Sequence, residues 1–139
     1  MKDRFKFRIW HLNDNSMNNL GTISFKDGQV GYVDYDGDFD RWDNVVIMQC
    51  TGLKDNKEKL IYEGDIIKDY LNDKREVRYI QDQCTYFLKD INESELEFVN
   101  DNVNTYCECQ ATLTSGISDG YEIIGNIYEN PELLKSDDE

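Results

Sequence analysis

The chain has 139 residues, 39% of them hydrophobic and 12% aromatic, which suits about one domain with its own core and excludes general disorder. Fifteen Lys and Arg against 29 Asp and Glu give a net charge of −14. That balance disfavours simple neutralisation of nucleic-acid phosphates or of an anionic membrane surface, and favours solubility, basic partners or mimicry of a polyanion.

Residues 3–10, DRFKFRIW, alternate charged and large apolar side chains. Period two marks a half-buried strand, with Phe5, Phe7 and Ile9 on one face and Arg4, Lys6 and Arg8 on a solvated one. No apolar h-region follows Met1, and no apolar run approaches the roughly 20 residues that cross a bilayer. The cytoplasm is therefore the expected location, with Cys50, Cys84, Cys107 and Cys109 as free thiols. Residues 11–20 are polar and Asn-rich and read as loop. His11 is the single His, so no His-based catalytic or zinc system is expected, and its role is structural or solvent-exposed.

Residues 21–35 read as a hairpin turning on Lys26-Asp27-Gly28, because Asp-Gly between alternating apolar residues tolerates the positive φ of a tight turn. Asp34, Asp36, Asp38 and Asp40 then alternate. A calcium loop begun at Asp34 would place Phe39 at the sharp-turn Gly and Val45 at the bidentate Glu. One begun at Asp36 would place Arg41 and Ile47 there, so an EF-hand is excluded. An acidic turn after a strand is the plainer reading.

Residues 47–68, IMQCTGLKDNKEKLIYEGDIIK, read as strand, polar loop, short strand, tight turn and strand. Asp65, after Gly64, is placed to accept backbone N–H bonds in that turn. Residues 65–71, 76–80 and 84–91 continue as strands of an antiparallel meander that closes on itself. Residues 92–119 hold no clear period; 106–113 reads weakly as strand. The Cys107-x-Cys109 spacing is too short for a zinc pair and lacks a second pair, so small buried hydrophobes are the plainer role. Residues 121–128 form a last strand with a bulge at Gly125-Asn126. Asn130-Pro131-Glu132 signals a short helix whose Leu133 and Leu134 would plug one end of the sheet.

Three segments, in this order, resemble the YopX family of small phage and prophage proteins. They are Lys6-Phe7-Arg8-Ile9-Trp10; Gln49 to Asp55 with Ile61-Tyr62-Glu63-Gly64-Asp65-Ile66-Ile67; and Ile124 to Leu134. The resemblance implies an all-β fold, an SH3-type barrel or coiled antiparallel sheet, here with the short C-terminal helix, as a single domain over 1–139. It brings no catalytic residues. Two departures stand out: the family usually has a Gly where this loop reads Asn56-Lys57-Glu58, and residues 92–118 look like an inserted or divergent lobe.

No nucleophile–base pair, phosphate loop or metal cluster is visible. The expected function is therefore non-enzymatic binding of a host or phage protein, with no cofactor and no metal. Direct nucleic-acid contact and membrane contact are not expected. The alternative is an acidic DNA mimic that inhibits a basic host or defence protein. Its candidate surface is Asp34, Asp36, Asp38, Asp40 and Asp43 with Glu93, Glu95 and Glu97. Abundant carboxylates leave a two-acid hydrolase as a third reading, which needs a cleft lined by carboxylates of raised pKa. A basic strand of Arg4, Lys6 and Arg8, with Lys74, Arg75 and Arg78, is the one feature that supports nucleic-acid binding. Exposed strand edges leave a homo-oligomer open.

Overall fold

The structure, a computed structural model, describes residues 2–35, 38–41, 44–69, 71–81, 84–91, 111–112 and 120–135. It is an all-β fold built from antiparallel sheets. The first sheet comprises β1 (Phe7–His11), β2 (Ser16–Asn19), β6 (Val45–Lys54) and β7 (Leu60–Tyr62), in the order β2-β1-β6-β7. The second comprises β8 (Asp65–Lys68), β9 (Lys74–Ile80), β10 (Thr85–Asp90), β11 (Ala111–Thr112) and β12 (Glu122–Asn126), in the order β11-β10-β9-β8-β12. A separate three-stranded sheet, β3 (Thr22–Lys26), β4 (Gln29–Tyr35) and β5 (Asp38–Arg41), forms a wing.

The two large sheets share a core. Ile61 of β7 packs with Ile67, Val77 and Leu88 of the second sheet and with Tyr121 just before β12, and Leu53, Tyr86 and Ile123 close around them. Ile9 and Val45 form a second cluster with Leu20 and Ile47. Branched aliphatic side chains dominate because they pack well on a pleated surface.

The meander is as read from the pattern: β8 pairs with β9, and β9 with β10. In the wing, Asp27 (φ 54°) and Gly28 (φ 79°) sit between the paired Lys26 and Gln29. Positive φ at both central residues is the type I′ geometry that matches strand twist. The weak strand signal over 106–113 corresponds at Ala111–Thr112 to β11 on β10; the rest of the 92–118 lobe, including Cys107 and Cys109, lies outside the described residues.

Three local readings change. The first strand does not start at Asp3: Lys2–Phe5 is a 3-10 turn, and Phe5 is 63% exposed. Residues 16–19 of the supposed loop are β2, paired with β1 from Ser16 to Asn19. Their polar sequence carries no strand pattern, and the ladder to β1 makes the strand. The C-terminal helix is a single 3-10 turn, Pro131–Leu134, and it buries nothing. Asn130 does not cap it: its Oδ1 accepts from the Asn126 N–H instead, across the bulge.

Two connections share one construction. In the loop 55–59, Asp55 Oδ1 accepts the N–H groups of Lys57 and Lys59, and Asp55 N donates to Lys59 O. In the loop 69–73, Asp69 Oδ1 accepts those of Leu71 and Asp73, and Asp69 N donates to Asp73 O. The fourth residue of each is left-handed, Glu58 at φ 65° and Asn72 at φ 65°. Asn enters that region at lower cost than Glu does.

Two substitutions separate backbone strain from crowding. Glu58→Gly should raise stability by about 0.5–1 kcal/mol, since relief of the left-handed strain exceeds the entropy that Gly adds to the unfolded chain. A Cβ at Gly125 would lie 2.5 Å from Asn130 Oδ1 and 2.9 Å from Leu133 Cδ1, so Gly125→Ala should cost about 1–3 kcal/mol by overpacking. Denaturant midpoints check both; equal effects of one sign would contradict the assignment.

Candidate functional site

The chain passes from the first large sheet to the second at Tyr62-Glu63-Gly64-Asp65. Gly64 has φ 89°, and a Cβ there would meet Met48 Sδ at 3.2 Å. The bare backbone lets four segments converge on the turn. Glu63 N donates to Gln49 O in β6, Gly64 N to Val77 O in β9, and Ile127 N to Gly64 O. Arg8 of β1 supplies the fourth tie.

Arg8 Nη2 lies 2.8 Å from Asp65 Oδ1, with side chains 12% and 2% exposed. The same nitrogen donates to Glu63 O at 3.2 Å, and the guanidinium lies over the Tyr62 ring at 4.8 Å. Asp65 Oδ2 accepts the Tyr62 N–H at 2.7 Å, as the position after Gly64 suggests. Burial pushes the Asp65 carboxyl above its ordinary range, and the Arg8 charge and the Tyr62 N–H offset part of that rise. Arg8 Nε is buried without a hydrogen-bond partner. Arg8 therefore faces into the fold rather than onto a solvated face.

The other basic candidates are similarly engaged. Arg75 Nε donates to Asp69 Oδ2 at 3.0 Å, Arg78 grips Glu76 through Nε (2.7 Å) and Nη2 (3.2 Å), and Lys6 pairs with Asp3. Lys74 Nζ donates to Lys135 O, and Arg4 stacks on Phe5. Side chains that read as a basic stripe are thus distributed over separate partners.

Beside the turn lies a half-open cleft of about 230 Å³ between the two large sheets. Met48, Gly64 and Val77 line it, with Glu63, Glu76, Arg78, Tyr79 and Tyr128. Burial raises the Glu63 carboxyl, the Gln49 N–H lowers it, and the Glu76 charge adds to the rise. Burial, then the charges of Glu63 and Glu76, raise the Tyr128 hydroxyl. Tyr128 stacks on Trp10 at 5.7 Å, and Tyr79 meets Tyr86 edge-on at 5.1 Å. Two carboxylates on one cleft are the minimum for acid–base hydrolysis, but Arg78 holds Glu76 in a two-point grip. Sequence reading missed this cleft because its residues come from four distant segments; the Glu63-Gly64 turn is the only local signal.

The acidic candidates fall differently. Asp34, Asp38 and Asp40 lie on the wing. Asp40 is in register with Val33 and Asp38 with Tyr35, whereas Asp34 is in register with Phe39. Residues in register share a face and neighbours alternate, so Asp38 and Asp40 occupy positions on one face and Asp34 on the other. Asp36, Asp43, Glu93, Glu95 and Glu97 lie outside the described residues. Sequence reading also missed the buried acids Asp55 and Asp69; Asp55 Oδ2 accepts the Ile123 N–H and so ties its loop to β12. His11 is buried, and its Nδ1 accepts the Asp14 N–H. Cys50 is fully buried, which pushes its thiol up, while Cys84 is exposed. Among the described residues no three His, Cys, Asp or Glu group to hold a metal ion, and no helix is long and apolar enough to cross a membrane.

A family model described as YopX protein matches residues 6–135. No match was found among curated proteins. The crystal structure of protein EF1440 from Enterococcus faecalis is similar at 30% identity and a TM-score of 0.62, over 94% of this chain and 97% of that one. The crystal structure of protein yopX from Bacillus subtilis shares the fold at 17% identity and a TM-score of 0.50, over 95% of this chain and 99% of that one.

The Arg8–Asp65 contact predicts a pH-dependent deficit. The folded pKa of Asp65 lies above the ordinary value for an aspartate, so its charged form costs stability as pH rises through that window, and protonation relieves the cost. Arg8→Met removes the nearest cation and orphans the carboxylate. Stability at pH 7 should fall by about 3 kcal/mol, the low end for breaking a buried pair because Arg8 keeps some exposure. The deficit should narrow as pH falls toward about 4–5. A deficit constant between those pH values would contradict the reading.

Proposed function

We propose that this chain, which belongs to the YopX family, is a phage- or prophage-encoded binding protein without enzymatic activity, acting on a basic host or phage protein in the cytoplasm. The observation that carries the reading is the wing. Its strands pair only with one another among the described residues, so β3 and β5 are both edges. Phe25 on β3 is 66% exposed and adds nothing to the shared core. An open edge with an exposed aromatic is a template for strand addition by a partner.

The acidic composition of β4 and β5 suits a basic partner and speeds its approach. The register that separates Asp34 from Asp38 and Asp40 favours strand addition over the alternative, a one-faced row of carboxylates mimicking DNA. Against hydrolysis stands the two-point hold of Arg78 on Glu76, which ties up one of the two acids that such chemistry would use.

Affinity capture from bacterial lysate, washed at low and high salt, tests this. A stoichiometric basic protein should survive the high-salt wash with the wild-type chain and be lost with Phe25→Ser, whose exposed position spares the fold. A partner released by salt and indifferent to Phe25 would favour mimicry. Empty captures at both salts would contradict binding.

A further inference from the structure

The cleft beside the Glu63-Gly64 turn is chemically asymmetric. Glu76 is neutralised by the Arg78 grip at 2.7 and 3.2 Å. No Lys or Arg among the described residues pairs with Glu63, which is half-buried with Gly64 and Met48 beside it. Among the described residues, the ionisable groups lining the cleft are therefore two carboxylates and one guanidinium, a net single negative charge when all are ionised. Tyr79 and Tyr128 add ring systems whose faces attract cations. Met48 and Val77 supply an apolar lining. The volume of about 230 Å³ is below that of drug-sized sites and matches a single side chain.

We propose that this cleft is a binding site for an alkyl cation, a primary ammonium or guanidinium carried on an aliphatic stem, with Glu63 as the counter-ion, Tyr79 and Tyr128 as aromatic walls, and Met48 and Val77 against the stem. The field of a chain at −14 concentrates cations near such a mouth. An anion would meet the uncompensated Glu63 charge, and a neutral apolar ligand would leave that carboxylate dehydrated and unpaired. The inference does not rest on the wing, which is a different sheet, so failure of either leaves the other standing.

The test is an amide-resolved NMR titration of the full chain with Nα-acetyl-lysine methylamide and its arginine counterpart. Nα-acetyl-norleucine methylamide serves as the uncharged stem control. Saturable shifts are expected at Glu63, Gly64, Val77, Arg78 and Tyr128 with both cationic ligands and not with norleucine. Glu63→Gln should weaken the cationic ligands about tenfold, as loss of one charged contact does. Its unligated spectrum and melting temperature report whether the fold is intact; should it unfold, Tyr79→Leu, at a residue 44% exposed, replaces it with the same expectation. Adding n-butylamine and a lysine-containing peptide separates a free amine from a protein side chain: tighter binding of the peptide assigns the cation to a partner protein, and equal binding to a free amine. Equal shifts from norleucine, shifts elsewhere on the chain, no shifts with either cation, or undiminished binding by a folded Glu63→Gln variant would each overturn the proposal.

Discussion

The turn Tyr62-Glu63-Gly64-Asp65 is the point on which the rest of the structure depends. It must leave one sheet and start the next within four residues while meeting β1, β6, β9 and the segment after β12. Its backbone meets three of them through hydrogen bonds at Glu63 N, Gly64 N and Gly64 O. Asp65 meets the fourth through Arg8. A side chain at Gly64 would strain the positive φ and press on Met48 Sδ. Asp65 is buried at a desolvation cost that its partners only partly offset. A buried pair of this kind specifies geometry more than it adds stability. It ties β1 of the first sheet to the start of β8 in the second.

The same economy of buried acids recurs in the two five-residue loops. Asp55 and Asp69 each satisfy two N–H groups of their own loop, and the second oxygen reaches outward, to Ile123 N or to Arg75. Part of the acid in the composition is thus bound within the fold. Asp55, Asp65, Asp69 and Glu76 are buried and bound. The acids of the wing belong to its own hairpin strands, Asp38 in register with Tyr35 and Asp40 with Val33. A net charge counted from sequence does not separate acids bound within the fold from the rest.

Much of the fold was legible because local chemistry decides it. Asp27-Gly28 requires a type I′ turn, Glu63-Gly64-Asp65 requires a tight junction, and the alternation of β8 to β10 has one consistent pairing. What was not legible depends on distance. Period two places Arg8 opposite Ile9, but it cannot say whether that face meets water or Asp65, 57 positions on. The strand Ser16–Asn19 has no pattern of its own and exists through its ladder to β1. The acidic stretch 34–40 was visible as composition, while the split of Asp34 from Asp38 and Asp40 follows from pairing register. The cleft joins Met48, Glu63, Arg78 and Tyr128, which no local window contains. The segments that resemble the YopX family include Arg8, Glu63-Gly64-Asp65 and Gly125, and the family model spans residues 6–135.

A double-mutant cycle between Arg8→Met and Asp65→Asn tests the central claim most directly. Asn keeps an oxygen for the Tyr62 N–H, so the cycle isolates the charge pair. Unfolding free energies of the two single variants and the double variant are compared with the wild type. If the junction is held by this pair, each single variant strands a buried charge, and the double variant loses less than the sum of the two by about 1–3 kcal/mol. Additivity within about 0.5 kcal/mol would show that Arg8 and Asp65 act independently, and the turn would then owe its place to backbone hydrogen bonds alone.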